Sequence, residues 1–377
     1  MEIIPNLRGD EILAALDDDQ REVALATRGP VCVIAGAGTG KTRAITHRIA
    51  YAAAIGTMDP SKVLALTFTA RAAGEMRTRL RSLGVPTVAA RTVHSAALKQ
   101  LIYFWPSVFG GRTPDLMNSK TPFLTEAINR ANLSGEIRST SREIMRDVAT
   151  EIEWAKVSQV APIDYLDQVS ERVTKPRIKP EHIAQIYVAY ESLKKQEVAI
   201  DFEDVLLLTS AMLEEERAVR ERVQDQYRYF TVDEYQDISP IQQRLINAWL
   251  GSRKDICVVG DPAQTIYSFA GATPVFLNTF TQRFPEAQVI RLSTGYRSTP
   301  EITFAEMRCC AHRQWGKSSP QAMTMDIGPA LMDLKMRQQR SQELFHRSPH
   351  CSAMELRHKR LQSWLAPIAN SKVWNVP

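Results

Sequence analysis

The run Ala35-Gly36-Ala37-Gly38-Thr39-Gly40-Lys41-Thr42 sets a lysine and a hydroxyl directly behind a stretch of small residues. Small side chains let consecutive backbone N–H groups close on phosphate oxygens, and a helix starting at Lys41 adds its partial positive charge. Lys41 would reach the β- and γ-phosphates, and Thr42 would place its hydroxyl on Mg²⁺. Arg43 follows at the same helix start and is grouped with them. The strict pattern begins with Gly, whereas Ala35 stands first here. The bland reading is a chance Gly-rich turn, and the strand-loop-helix context favours a nucleoside-triphosphate site. A second group, Asp233-Glu234-Tyr235-Gln236-Asp237, follows the apolar run Tyr229-Phe230-Thr231-Val232. A carboxylate at a strand end can hold Mg²⁺ and its neighbour can polarise an attacking water. Asp233 is assigned to the metal and Glu234 to the water. Adjacent acids alone are more often a solvated turn, so this assignment leans on the upstream loop.

Such groups need a scaffold that brings strand ends together. Short apolar runs rich in Val or Ile recur at 31–35, 63–67, 229–232, 256–260 and 289–292. They lack polar alternation, as strands buried on both faces of a parallel sheet do. Helical stretches follow at 41–55 and 70–83, which predicts a doubly wound α/β domain. From about 97 to 196 helical periodicity takes over. Over 180–195, Ile183, Ile186, Tyr187, Tyr190 and Leu193 fall on one helix face, with Pro180 suited to its start. A second helix is expected over 147–156. The middle is therefore read as a helical insertion between two halves of one sheet.

At 377 residues the chain can bury two or three cores, and 44% hydrophobic with 24% charged residues is ordinary for a globular protein. No apolar stretch reaches the roughly 18 residues of a spanning helix. Residues 1–10 lack a signal-peptide layout, so no membrane is expected and the cytoplasm is the default location. The net charge of +5 belongs to the tail: residues 303–377 hold 11 Lys+Arg and 5 Asp+Glu, leaving 36 against 37 upstream. Any grip on nucleic acid must come from a local groove. Cys32 and Cys257 sit in apolar runs, while Cys309, Cys310 and Cys351 lack paired spacing, which argues against a disulfide or zinc framework.

With DEYQD downstream of that phosphate loop, the chain resembles the UvrD/Rep/PcrA-type superfamily 1 DNA helicases. The other motifs follow in the family's order. Leu16-Asp17-Asp18-Asp19-Gln20 is similar to the Q motif, and Leu66-Thr67-Phe68-Thr69 to motif Ia. Thr92-Val93-His94-Ser95 is similar to motif Ib, and Ile200 to Leu206 to the segment where the chain returns to the sheet. Val259-Gly260-Asp261-Pro262-Ala263-Gln264-Thr265-Ile266-Tyr267-Ser268-Phe269 resembles motif III, and Leu292 to Ile302, containing Gly295-Tyr296-Arg297-Ser298, resembles motif IV. The resemblance covers about residues 14–302.

The resemblance implies an α/β fold: a RecA-like P-loop NTPase sheet (1–96 and 197–302), a 1B-like helical insertion (97–196) and an irregular tail (303–377). It implies ATP and Mg²⁺ as ligands, held by Gln20 on the adenine edge, Ala35 to Arg43 on the phosphates, and Tyr296 stacked on the base. Gln264 would join the γ-phosphate to the DNA side, since an amide both donates and accepts. Arg297 would serve as an arginine finger. Thr67, Phe68, Thr69, His94, Tyr267 and Phe269 would meet single-stranded DNA, the aromatics by stacking. Core packing stays open for Phe68 and Phe269, as does a capping or core role for His94. Gly295 stands where the family usually has Asn, and Ala270 where a basic residue is common.

The expected activity is ATP-dependent 3′→5′ movement on single-stranded DNA or a 3′-tailed duplex, with DNA-repair proteins as further partners. Nothing after residue 302 resembles motifs V or VI, and Cys, His, Met and Trp become frequent there. The tail is expected to be poorly ordered, as a frameshifted truncation or a divergent extension. The competing reading is a non-catalytic ATP- and DNA-binding module. A helicase–nuclease would need a downstream nuclease signature.

Overall fold

The computed structural model describes residues 9–131, 133, 142–170, 176–265 and 271–296. The expectations on Tyr267, Phe269, Arg297 and the 303–377 tail lie outside these residues. The strands are β1 (Val31–Ala35), β2 (Val63–Thr67), β3 (Ala89–Thr92), β4 (Asp115–Leu116), β5 (Ala199–Ile200), β6 (Tyr229–Val232), β7 (Ile256–Gly260) and β8 (Gln288–Leu292). The first helices are α1 (Gly9–Ala14), α2 (Asp18–Leu25), α3 (Lys41–Ala54), α4 (Ala70–Ser82) and α5 (Val93–Val108). Next come α6 (Thr121–Arg130), α7 (Arg142–Val157), α8 (Tyr165–Ser170) and α9 (Pro180–Gln196). The chain returns through α10 (Phe202–Glu215), α11 (Arg217–Gln226), α12 (Pro240–Leu250), α13 (Val275–Asn278) and α14 (Phe280–Arg283).

Six strands form one sheet in the order β3-β2-β6-β7-β1-β8, and every pairing is parallel. Val33 of β1 lies between Val259 of β7 and Ile290 of β8. Alternation sends Val31, Val33, Ala35, Val63, Ala65, Cys257 and Val259 to one face, where Ile45 and Ile49 of α3 and Met76 and Leu80 of α4 close the core. On the other face Leu66 and Val232 meet Val93 of α5 and Gln242 of α12 around a small cavity. The α/β fold with a parallel sheet stands as the sequence implies. β3 was not expected: its sequence, Ala-Ala-Arg-Thr, carries none of the Val or Ile that marks its neighbours.

Caps fix where helices begin beside the strand ends. Thr69 accepts from the Ala72 N–H to start α4. Thr92 with Ser95, Asp201 with Asp204, and Ser239 with Gln242 form capping boxes for α5, α10 and α12. Each satisfies N–H groups that a first helical turn leaves without partners.

The helices from α6 to α9 bury a second core, with Leu124, Ile128, Val148, Ile152, Ile183, Ile186, Tyr187 and Tyr190 at its centre. α5 belongs with the sheet side: Trp249 Nε1 of α12 donates to Gln100 Oε1 at 2.8 Å, and Thr209 of α10 donates to the Ala97 carbonyl. A buried ionic network ties the second core to the start of α10. Lys156 Nζ of α7 donates to both Asp201 oxygens at 2.6 Å and to Asp204 at 2.5 Å. Lys194 Nζ of α9 reaches Asp204 at 2.6 Å and Glu191 at 2.7 Å. Burial alone would raise the Asp201 carboxyl, yet Lys156 and Lys194 hold it well below the usual carboxylate range.

Removing one member strands opposite charge in the interior. Asp201→Ala should lower the unfolding free energy by about 3–5 kcal/mol. Glu75→Ala, which deletes the exposed Arg71–Glu75 pair, should change it by less than about 1 kcal/mol. Urea denaturation checks both, and an unmoved midpoint for Asp201→Ala would sink this account of the network.

Candidate nucleotide-binding site

The carboxyl ends of β1, β6, β7 and β8 carry most of the residues singled out from the sequence. After Ala35 the chain turns through Gly38 and Gly40, at φ 75° and 78°. A side chain is strained in this left-handed region. At Gly40 an added Cβ would also lie 2.5 Å from Gln20 Nε2. That glycine leaves room for Gln20, which is buried and donates to the Thr39 carbonyl at 3.2 Å. Thr39 Oγ1 closes the loop on the Gly36 carbonyl at 3.0 Å. The loop is therefore braced from within and from α2.

Lys41 Nζ donates to Glu234 Oε2 at 3.0 Å, and Thr42 Oγ1 donates to Asp233 Oδ2 at 3.4 Å. The two motifs, more than 190 positions apart in sequence, thus meet side chain to side chain. Asp233 is buried. Burial, then the neighbouring Glu234, pushes its carboxyl up to about 6. A buried carboxylate beside a second acid and a hydroxyl is a donor set that suits a hard divalent cation. Glu234 itself sits at φ 52°, ψ 46°, a left-handed conformation costing a non-glycine residue about 1–2 kcal/mol.

Gln264 Nε2 donates to Asp261 Oδ2 at 2.6 Å, in the turn just after β7. Gln236, not singled out from the sequence, donates to Glu234 Oε2 at 2.8 Å and accepts from the Asp261 N–H at 3.1 Å. Beyond β8, Ser293 donates from N and Oγ to Asp19, at 2.8 and 2.5 Å. The Tyr296 N–H donates to the Gly38 carbonyl at 2.9 Å, and its hydroxyl donates to Asp17. Tyr296 as a residue is 59% exposed. Arg43 turns away from the loop and donates to the Ala15 carbonyl.

The residues of the second expected group lie along β2 and α5. Thr67 is buried and donates to the Thr69 carbonyl, while Thr69 caps α4. Phe68 is exposed. It lines the small cavity at the sheet end together with His94 and Asp233. His94 packs edge-on to Phe202, centroids 6.1 Å apart. Phe202 is half exposed and was not singled out as a site residue. Its one sequence signal was a place in the segment from Ile200 to Leu206. His94 and Phe202 open onto a cleft of about 810 Å³ between the sheet side and the insertion, lined also by Asn118, Lys120, Arg142 and Arg146.

Comparison with known proteins agrees with this geometry. The family model for the UvrD/REP helicase N-terminal domain matches residues 16–285. Over 317 residues the chain is 49% identical to ATP-dependent DNA helicase UvrD2 of Mycobacterium tuberculosis (strain ATCC 25618 / H37Rv), covering 81% of this chain and 45% of that relative. It is 31% identical over 293 residues to ATP-dependent DNA helicase PcrA of Leuconostoc citreum, covering 76% and 38%. The PcrA of Bacillus subtilis (strain 168) is 30% identical over 308 residues, covering 79% and 39%. The chain thus spans less than half the length of these relatives.

Burial, with Lys120 nearby, pushes the His94 imidazole down to about 4 from its ordinary 6.5. The folded state then binds fewer protons than the unfolded one between those values, so stability is full above pH 6.5 and falls as pH drops toward 4. Imidazole NMR should find His94 neutral at about pH 5.5. A titration centred near 6.5 would overturn the assignment.

Proposed function

We propose, for a chain that belongs to the UvrD/REP helicase N-terminal domain family, that the sheet end is the ATP site of a DNA helicase. The observation that carries this is the meeting of Lys41 and Thr42 with Glu234 and Asp233 at the carboxyl end of a parallel sheet. Ligands of such sheets bind outside those strand ends. In this reading the N–H groups from Gly36 to Gly40, with Lys41, hold the phosphates. Gln20 and Tyr296 frame the base, and Gln264 meets the γ-phosphate. Thr42 and Asp233 would hold Mg²⁺, which when bound supplies charge neutralisation across the phosphate oxygens. Glu234 would orient and deprotonate the attacking water, and Arg297 would meet charge on the transferred group. Arg43 is the weakest member of the expected set, because its guanidinium is engaged with the Ala15 carbonyl.

The single-stranded DNA reading draws on exposed aromatics beside a cleft with cations. Phe68 and Phe202 present exposed rings, the half-buried His94 packs against Phe202, and Lys120, Arg142 and Arg146 lie in or beside the cleft. Base stacking on such rings contributes about 1–3 kcal/mol each. Tyr267 and Phe269 extend the proposed contact set from the sequence alone. Thr67 and Thr69 contribute through the backbone turn they fix, since one is buried and the other caps α4. The division into 1–96 with 197–302 and an insertion at 97–196 belongs to the same proposal. So do 3′→5′ movement on single-stranded or 3′-tailed DNA, repair-protein partners and a cytoplasmic location. Among the described residues no helix is long and apolar enough to cross a membrane.

The test is ATP hydrolysis by the purified chain, with and without single-stranded DNA, beside Lys41→Ala. Turnover stimulated by DNA and abolished in the variant is the expected result. Turnover unchanged in Lys41→Ala would break the phosphate-loop assignment, and tight binding without turnover would favour the non-catalytic module. Phe202→Ala should weaken single-strand binding about tenfold while leaving ATP affinity unchanged. Equal loss of both would place Phe202 in the packing of the domain.

A further inference from the structure

Five side chains and one backbone N–H form an unbroken hydrogen-bonded line across the sheet end, and its middle member has no assigned role. Lys41 Nζ meets Glu234 Oε2 at 3.0 Å, and the same oxygen accepts from Gln236 Nε2 at 2.8 Å. Gln236 Oε1 accepts from the Asp261 N–H at 3.1 Å, and Asp261 Oδ2 accepts from Gln264 Nε2 at 2.6 Å. Gln236 is 1% exposed. An amide donates toward a carboxylate at its nitrogen and accepts from a backbone N–H at its oxygen whatever the pH. The strand beside it is shaped to admit that amide. A Cβ at Gly260 would stand 2.4 Å from Gln236 Oε1, so β7 ends in the one residue that leaves the space.

We infer that Gln236 is the positioning residue of the terminal-phosphate end of the site, holding Glu234 and, through the Asp261 turn, Gln264 in one fixed relation. The inference rests on the nucleotide reading above and deepens it. The loop N–H groups serve a diphosphate and a triphosphate alike. Glu234 and Gln264 are the groups assigned to the last phosphate and its water, and Gln236 is the link between them. Loosening that link should therefore be felt by a triphosphate and not by a diphosphate. A residue that merely filled the interior would affect both.

The experiment is calorimetric binding of Mg·ADP and of the non-hydrolysable analogue Mg·AMPPNP to the full chain and to Gln236→Met. Methionine fills a similar volume without either hydrogen bond. The parent should prefer the triphosphate analogue. Gln236→Met should lose about tenfold of that preference, with ADP affinity held within about twofold. Should that variant not fold, Gln236→Glu is measured the same way. It is equal in size and still accepts from the Asp261 N–H, but it no longer donates to Glu234, so its preference should also fall. A preference unchanged in a folded variant, a parallel loss for both ligands, or a parent without preference would each overturn the inference. A parent that binds neither nucleotide would instead overturn the proposed function.

Discussion

The structure turns on getting two residues of opposite charge to meet across a strand that lies between them. Lys41 follows β1 and Glu234 follows β6, and β7 separates those strands in the sheet. Neighbouring strands run about 4.8 Å apart, so the two backbones are about 10 Å from each other. A lysine and a glutamate can close that gap only above the end of β7, and only if nothing stands in the way. Gly260 is the last residue of β7, and the space a side chain would fill is occupied by the Gln236 amide. The left-handed backbone of Glu234 aims its side chain over this gap. The turn geometry, the glycine and the strand order are one solution to one distance.

The helical insertion faces the converse problem, because it must be held while making few contacts with the sheet. Asp201 and Asp204 serve two purposes at once. They cap α10 through each other's N–H groups, and they receive Lys156 and Lys194 from two helices of the insertion. A buried network of this kind is weak support for net stability, since desolvation offsets much of the attraction. Its value lies in geometry: each ammonium has few satisfactory positions, so α7 and α9 are registered against α10. That registration forms the cleft beside His94 and Phe202, where Lys120 is itself paired with Glu153 and Glu203.

Local patterns were legible in the sequence, and tertiary partnerships were not. The five apolar runs became strands with nearly the same limits: β1, β2, β6 and β7 are buried on both faces and so apolar throughout, while β8, at the edge, buries only Ile290 and Leu292. The loop through Gly36, Gly38 and Gly40 and the pair Asp233 and Glu234 stood out because their chemistry is confined to contiguous residues. β3 escaped notice, since an edge strand needs less apolar surface and Ala-Ala-Arg-Thr carries little. Gln236 lay in plain view within DEYQD, but its meaning depends on a glycine 24 positions later and a turn from another strand. Lys156 and Lys194 look like ordinary solvated helix residues until the fold encloses them with Asp201 and Asp204.

The same line of hydrogen bonds bears on what a nucleotide would meet. Here one oxygen of Glu234 accepts from both Lys41 and Gln236. A triphosphate bound as proposed brings its own negative charge to Lys41, and the ammonium cannot serve phosphate and carboxylate equally well. Coulomb repulsion between the two acids favours separation, while the donation from Gln236 remains. Glu234 would then lose Lys41 and keep Gln236, the partner that holds it in place toward the water of the proposed reaction. In the proposed reading, arrival of the substrate and release of the carboxylate from Lys41 would be a single electrostatic event. It would turn on exchange of the partner at one lysine.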